Sequence, residues 1–530
     1  MGVLSDNLIL KTVLLIGAVI AVRLLTRTKT PGRLPPGPRG LPFLGSVDAL
    51  PPKGAHEWKH WLKYKDAYGP ISSVTAFGTT IVLLHSPELA FELFEKRSSV
   101  YSSRSRFTFA GEMIGWKNTV VLREYGKEFR QHRKNIHAMI GTQATVQPYM
   151  PIQEKEVHRF LLRVLKDPEG LLDHIRTEAG AMILKMIYGY TIDPHKSDPL
   201  VKLVGETLEQ FSLGTAVGSW LVDLVPAMKY IPDWLPGADF KRLAKKWQAS
   251  LIKTADKPFE FAQRRIAKGQ AGKSYVSDFG SDLSSEDQYM VKWTAAALYS
   301  GGSDTTVNTV AAFFLAISLY PEVQQRAREE IDQVIGTGRL PKFDDRDNLP
   351  YINAVVKEAL RWHPVLPLVI PHTTSADDMF KGYFIPKDAI VVPNVWWFTH
   401  DPAVYKNPST FDPSRFLGAN PCPDPRDHIF GYGRRICPGR FFAYTSIWLT
   451  IAQSLAVFDI RKPLDEQGVE IEPPTTDPTV LFSTGAISHP KPFIAMVKPR
   501  SELHAELIKE AESLYPWEKG NVDELEGMEA

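Results

Sequence analysis

Cys437 lies in a short segment of the chain that is rich in glycine and arginine. The segment extends from Phe430 to Gly439, and an apolar stretch with helical periodicity follows it. Backbone N–H groups at the start of a helix stabilise a thiolate, as do nearby cations such as Arg434 and Arg435. Glycines let the backbone turn tightly and approach a flat ligand. The sequence therefore predicts a chemical role for Cys437, although an inert buried thiol is the alternative for any single cysteine.

A short polar segment, residues 301–306, which we call the polar step, interrupts the longest predicted helix, residues 286–320. Within its apolar part, residues 293–320, Asp304 is the only charged residue, and the small residues Gly301 to Ser303 precede it. A second membrane span is one interpretation, but these residues would face lipid poorly. We therefore expect a helix buried in a large core, in which the polar step needs a functional reason.

Two ionisable residues, Glu358 and Arg361, lie one helical turn apart among apolar residues. At this spacing they share one face of a helix. An ordinary surface ion pair has the same spacing and contributes little, but the apolar neighbours indicate that this face is buried. Because buried charges need further partners, we expect another polar group to join the pair.

Together these segments resemble the cytochrome P450 family. The family's heme-binding loop, oxygen-activation segment, ExxR motif and PERF region resemble residues 430–439, 301–306, 358–361 and 411–416. The loop pattern FxxGxRxCxG is met at Phe430, Gly433, Arg435, Cys437 and Gly439. The resemblance is strongest to members from fungal secondary metabolism, among them tryptamine and O-methylsterigmatocystin hydroxylases.

The resemblance implies a mainly α fold with small β-sheets, in which a long central helix lies over the cofactor. The cofactor implied is heme b, iron protoporphyrin IX, with Cys437 as the iron ligand and with Phe430 and Gly439 in the loop that binds it. It also implies that Arg415 completes a structural network with Glu358 and Arg361.

Further roles follow from the same resemblance. Asp304 would relay protons from solvent, and Thr305 would hydrogen-bond oxygen or hold a water. The residues implied to pair with the heme propionates are Arg133, Arg435 and His372. A surface histidine is the alternative for His372. Phe129 stands where the family has a tryptophan, so the indole N–H of that position is lost.

An apolar substrate pocket is expected from the family's topology. It would draw on residues 107–116, 365–370 and 482–487. The residues there that favour a flat or lipophilic ligand are Phe107, Phe109, Met113, Trp116, Val369 and Phe482. An aromatic loop broken by prolines, residues 220–236, would either rest on a membrane or pack as an ordinary loop.

Five regions are predicted along the chain. They are a lumenal N-terminus (1–7), a transmembrane anchor (8–25), a basic, proline-rich hinge (26–45), a heme-thiolate monooxygenase domain (46–500) and an acidic tail (501–530). The anchor would reach about 27 Å, close to the thickness of an endoplasmic-reticulum bilayer. A cleaved signal peptide is the alternative, but the basic residues after the apolar run favour a single-pass protein of that membrane with a cytosolic catalytic domain. The tail is expected to be solvated and partly disordered.

These observations predict a membrane-anchored monooxygenase that inserts one atom of O2 into a lipophilic, aromatic or terpenoid, small molecule of a biosynthetic pathway. Because the sequence shows no NADPH or flavin fingerprint, an NADPH–cytochrome P450 reductase would donate the electrons. Its basic docking face would comprise Lys127, Arg130, Lys134, Arg434 and Arg440. The net charge of +2 indicates no nucleic-acid partner. Two alternatives are a heme-thiolate isomerase or dehydratase that needs no reductase, and a membrane-bound heme sensor without catalysis.

Overall fold

The computed structural model describes residues 32–527 except residues 43, 53, 195, 473, 474 and 476. This part of the chain is mainly helical with small β-sheets, which confirms the predicted class. The helices of ten or more residues are α1 (Glu57–Tyr68), α2 (Lys127–Ile140), α3 (Met150–Lys166), α4 (Leu171–Tyr188), α5 (Pro199–Gly214), α6 (Asp239–Ala267), α7 (Ser285–Leu319), α8 (Pro321–Val334), α9 (Pro350–Trp362), α10 (Arg440–Val457) and α11 (Glu502–Leu514). Shorter α-helices are Pro87–Phe91, Ser98–Tyr101, Gln143–Val146, Leu221–Leu224, Val395–His400, Arg426–Ile429, Pro478–Leu481 and Val522–Glu526.

The strands form one five-stranded sheet and two hairpin-like pairs within the described residues. They are β1 (Ile71–Ala76), β2 (Thr79–Leu84), β3 (Ser103–Arg104), β4 (His372–Thr373), β5 (Asp378–Phe380), β6 (Tyr383–Ile385), β7 (Ile390–Pro393), β8 (Phe458–Arg461) and β9 (Met496–Pro499). The larger sheet has the order β1-β2-β7-β4-β3, and the pairs are β5-β6 and β8-β9.

Strand alternation around Gly78 predicts the hairpin of β1 and β2. In the structure Phe77 and Gly78 both have positive φ, 49° and 84°, as the tight turn between these strands requires. A similar strand-like alternation over residues 383–392 also predicts a hairpin, but the structure does not form one there. Its two halves, β6 and β7, do not pair with each other, because β7 pairs with β2 and β4 while β6 pairs with β5.

Helix α7 runs through the core and is buried along most of its length from Val291 to Ser318. It packs against α4 on one side and against α10 on another. In the part of the chain that the structure describes, no single helix is long and apolar enough to cross a bilayer; α7 and α8 reach that length and apolarity only as a pair, bent by 104°. The burial of α7 favours the core helix over the membrane span. The predicted anchor, residues 8–25, lies outside the described residues.

The acidic C-terminal segment is folded against the body, so the expectation of a partly disordered tail is wrong for its described residues. Helix α11 packs on α3, and a second short helix follows it. The Trp517 ring lies 5.2 and 5.4 Å from the guanidinium carbons of Arg159 and Arg163. Glu518 forms an ion pair with Lys155 at 2.7 Å. The body is basic where the tail is acidic, and this complementarity orders the segment.

Replacing Trp517 by alanine should lower the free energy of unfolding by about 1 to 2 kcal/mol, because two partly buried cation–π contacts are lost. Urea denaturation followed by circular dichroism measures the change. Trp234→Ala is the matched control, since the Trp234 side chain is 80% exposed, and it should change stability by less than about 0.5 kcal/mol. Equal stability of the two variants would contradict the docking of the tail.

Candidate active site

The loop that carries Cys437 is held by main-chain contacts. The Cys437 N–H donates to the Phe430 carbonyl at 2.7 Å, which closes the loop on itself. Gly433 has φ +52°, and a Cβ at that position would lie 2.2 Å from the Phe94 carbonyl oxygen. Only glycine therefore fits there. Gly439 directly precedes α10, and its N–H hydrogen-bonds the Cys437 side chain.

The charges beside the Cys437 sulfur differ from those expected. Burial raises the pKa of the Cys437 thiol, against the opposing effects of the Gly439 N–H, Arg133 and Arg440. Arg434 is exposed and Arg435 points to main-chain carbonyls, so the expectation that these two stabilise the thiolate is wrong. The reason is that neighbouring side chains of the loop point in different directions. A bound metal ion would hold such a buried thiol in its thiolate form.

Two arginines near this loop are buried without an acidic partner. Arg435 donates to three main-chain carbonyls, and so does Arg104 of β3. Neither forms an ion pair with a carboxylate in the described part of the chain. Burial lowers the pKa of Arg104 to about 9 and that of Arg435 to about 8. Buried cations without counter-ions favour an anionic ligand.

The other predicted propionate residues lie around these arginines. His372 is buried in β4 directly opposite Arg104, and its Nδ1 lies 2.7 Å from the Tyr101 carbonyl oxygen. Burial lowers the pKa of His372 well below its usual value, so it is neutral and not a surface residue. Arg133 donates to the Ile436 carbonyl at 2.7 Å, beside Cys437. No motif in the sequence marks Arg104, which joins this group by pairing with His372 across two strands and by donating to the carbonyls of Ile370 and Pro371.

Phe129, at the position where the family has tryptophan, is buried, and its ring packs against the guanidinium group of Arg435. The Arg435 guanidinium carbon lies 3.8 Å from the centre of its ring. This cation–π contact keeps the Arg435 side chain in one orientation. The phenylalanine therefore supports an arginine of the cluster, although it cannot donate a hydrogen bond.

The polar step of α7 combines small residues with hydroxyl and carboxylate groups. Apart from the backbone of its own helix and its chain neighbours, no described heavy atom lies within 4 Å of the position that a Cβ would take at Gly301. At Gly302 a Cβ would lie 2.5 Å from Ile183 of α4, so this glycine lets the two helices approach. The Thr305 hydroxyl donates to the Gly301 carbonyl at 2.8 Å.

Asp304 has a partner that the sequence analysis did not identify. Its Oδ2 lies 2.8 Å from Nε2 of His489. The two side chains are 14% and 32% exposed, so the pair lies near solvent but mostly covered. No spacing or motif joins residues so distant in sequence.

Glu358, Arg361 and Arg415 form the network that the resemblance implies. The Glu358 and Arg361 side chains are fully buried and joined by two hydrogen bonds of 2.7 and 2.8 Å. Arg415 Nε lies 3.2 Å from the same carboxylate, and the Asp412 N–H donates to it at 2.8 Å. Arg361 also donates to the carbonyls of Thr399 and Thr410, so the buried pair of Glu358 and Arg361 joins α9 to the segments before the Cys437 loop.

Several aromatic residues expected in the pocket pack against other rings. Phe109 stacks on Trp220 with ring centres 3.6 Å apart, and Phe482 stacks on His363 at 3.4 Å. Trp116 is buried against Phe211. These contacts build apolar walls from the predicted segments, but they leave less free aromatic surface than the sequence suggests.

Together the side chains fit a heme. A thiol at the start of α10 is suited to iron, and the cluster of Arg104, Arg133, Arg435 and His372 offers cationic and neutral donors to carboxylates such as the propionates. The carboxylate network of Glu358 supports the same region. These features define a heme-thiolate protein.

Comparisons with known proteins agree with this class. The family model described as Cytochrome P450 matches residues 35–491. Cytochrome P450 monooxygenase claR of Ampulloclitocybe clavipes is 49% identical over 90% of this chain and 88% of its own length. Cytochrome P450 monooxygenase CLM2 of Gibberella zeae is 44% identical over 98% of this chain and 99% of its own length. O-methylsterigmatocystin oxidoreductase of Aspergillus flavus is 38% identical over 96% of both chains.

The chain belongs to the cytochrome P450 family and is a cytochrome P450 monooxygenase. The relatives come from fungi, which confirms the predicted similarity to fungal members. Members of this family use O2 and a redox partner and act on small molecules.

Replacing Cys437 by serine should abolish thiolate ligation, because a hydroxyl is a far weaker ligand for iron than a thiolate. The ferrous carbon monoxide complex should then lack its red-shifted Soret band. Cys422→Ser is the matched control, since Cys422 packs against a different cluster, at Tyr405 and Phe416, and its thiol hydrogen-bonds the Val404 carbonyl, and it should keep the band. A folded Cys437→Ser protein that kept the band would contradict the assignment.

Proposed function

We propose that this cytochrome P450 inserts one atom of O2 into a lipophilic, aromatic or terpenoid, small molecule of a biosynthetic pathway. An NADPH–cytochrome P450 reductase supplies the electrons. One substrate C–H bond, O2, two electrons and two protons give one C–OH group and one water. The observation that carries this proposal is the polar step of α7, which places Asp304 and Thr305 in an otherwise apolar, buried helix. A heme-thiolate isomerase or a sensor would have no use for it.

Heme b, when bound, supplies the iron at which oxygen is activated. Cys437 would hold it through sulfur, and Arg104, Arg133, Arg435 and His372 would hold its propionates. Thr305 donates its own proton to the Gly301 carbonyl, so its oxygen can accept a hydrogen bond from a water or an acid.

Asp304 is the group on α7 that can carry protons inward. Its carboxylate can bind a proton from solvent and release it for transfer to the hydroxyl of Thr305, the next residue of the helix. The absence of a side chain at Gly301 leaves space beside the helix for a small molecule. These residues together deliver protons to that space.

Membrane attachment is part of the proposal. An anchor over residues 8–25 would hold the protein on the endoplasmic reticulum, with the catalytic domain in the cytosol. Tyr230 and Trp234 are 78% and 80% exposed in the loop 220–236, which supports contact with a membrane. Lipophilic substrates could then enter from the bilayer.

The experiment that tests this function uses purified protein, the reductase, NADPH and 18O2. The probes are 7-ethoxycoumarin, progesterone and naphthalene, and the one with the largest type I spectral shift is used for turnover. We expect one 18O atom in the product for each NADPH used productively. A product formed equally well without NADPH would indicate the isomerase, and a type I shift without any oxidised product would indicate a sensor.

Thr305→Ala should uncouple oxygen consumption from product formation, because the hydroxyl that accepts the relayed proton is lost. Product per NADPH should fall about tenfold or more. The matched control is Thr309→Ala, one turn later on α7, whose hydroxyl reaches only the carbonyl of its own helix. Unchanged product yield in Thr305→Ala would count against the proton relay.

The reductase would dock on a basic face near the Cys437 loop. Lys127, Arg130 and Lys134 are exposed on α2, and Arg434 is exposed on the loop. Arg130 and Arg434 both lie over the ring of Tyr125, at 5.7 and 4.9 Å, so the two elements present their charge together. Such a face complements an acidic flavoprotein.

Reversing the charge at Arg130 and Lys134 to glutamate should slow the reduction of the protein by its reductase about tenfold at low salt. Product formation driven by added peroxide should survive, because it needs no reductase. Stopped-flow spectroscopy measures the rate of reduction, and a turnover assay with peroxide measures product formation without the reductase. The control pair Lys246→Glu and Lys253→Glu changes exposed lysines of α6. Equal loss of both activities in the α2 variant would contradict the docking face.

A further inference from the structure

His489 lies at a fixed position next to Asp304. Its main-chain N–H donates to the Ser483 hydroxyl at 2.9 Å, and its carbonyl accepts from the Ser483 N–H at 2.7 Å. The same loop is joined to α5, because the Ser212 hydroxyl donates to the Ile487 carbonyl and accepts from the Ile487 N–H, both at 3.0 Å. The loop therefore holds the His489 imidazole within hydrogen-bond distance of Asp304, with Nε2 2.8 Å from Oδ2.

A cleft of about 640 Å³ leads from the surface to this pair. Its lining comes from α4, α5, α7 and the loop of His489. At α4 the cleft is open, since the side chains of Asp173 and Arg176 are 83% and 54% exposed. At α7 it ends on Asp304, which is only 14% exposed. Charged side chains line it from its mouth at Arg176 to its inner end at Asp304, so water can reach the pair through it.

We propose that His489 is a positioning residue for proton delivery. Its imidazole orients the Asp304 carboxylate at the inner end of the cleft, through which water supplies the protons. This inference rests on the proposed function of Asp304. A carboxylate on a helix in the core has several rotamers, and a charge-assisted hydrogen bond to a fixed partner selects one of them. Without His489 the carboxylate would occupy several rotamers.

The test compares His489→Leu with His489→Gln in the reductase-dependent assay, with the selected probe. Leucine removes the hydrogen bond, whereas glutamine keeps an amide donor that can reach Asp304 Oδ2. We expect product per NADPH to fall about tenfold in the leucine variant, with a larger solvent deuterium isotope effect. The glutamine variant should stay within about threefold of the wild type. The red-shifted carbon monoxide band and the type I shift should be unchanged in both.

His174→Leu is the matched control. His174 of α4 also has a carboxylate near its Nε2, Asp167 Oδ2 at 3.4 Å, and the same nitrogen lies 2.8 Å from the Asp167 carbonyl oxygen rather than beside Asp304. In His174→Leu, product per NADPH and the solvent deuterium isotope effect should equal those of the wild type. Wild-type coupling in His489→Leu would overturn the inference, and so would equal losses in the leucine and glutamine variants.

Hydroxyl-radical footprinting read by mass spectrometry tests the same geometry without turnover. In Asp304→Ala, oxidation of His489 should rise about twofold or more, because the imidazole loses its partner and becomes more exposed. Unchanged oxidation would show that the pair does not form in solution. A wild-type protein that forms no oxygen-labelled product would defeat the proposed function, whereas full coupling in His489→Leu would defeat only the role of His489.

Discussion

The free-energy cost of burying charged groups determines how the segments around Cys437 are joined. A buried guanidinium must donate most of its N–H groups to acceptors. Arg361 and Arg415 meet this need at one carboxylate, Glu358, and at carbonyls of segments distant in sequence. Arg435 and Arg104 meet it at main-chain carbonyls alone, and so they keep a net positive charge beside the loop. The first group stabilises the fold, and the second is suited to an anionic cofactor.

Helix α7 shows how a single element serves both the core and the chemistry. Its apolar length is buried against α4 and α10, and this packing holds the helix in place. Gly302 of its polar step lets α4 approach and Gly301 leaves space beside the helix, while Thr305 and Asp304 place a hydroxyl and a carboxylate next to that space. The pairing of Asp304 with His489 places that step at the inner end of a cleft that opens to the surface.

The acidic C-terminal segment illustrates a limit of composition as evidence. A segment of low hydropathy and high charge is expected to remain solvated when it has no partner. Here α3 presents Arg159 and Arg163, and Trp517 covers both guanidinium groups while Glu518 neutralises Lys155. The segment is therefore ordered by charges that belong to another part of the chain.

The sequence by itself determined the class of the protein, the thiol of Cys437, the pairing of Glu358 with Arg361 and the polar step of α7. Each of these features depends on residues that are a few positions apart in the sequence, where helical spacing or a tight turn limits the geometry. Only the tertiary structure decided that Arg104 joins the cationic cluster, that Arg133 rather than Arg434 lies beside the sulfur, and that His489 holds Asp304. Those contacts join residues far apart in sequence, 266 between Arg104 and Ile370 and 185 between His489 and Asp304, so no local pattern records them. Their partners are chosen by the packing of the whole chain.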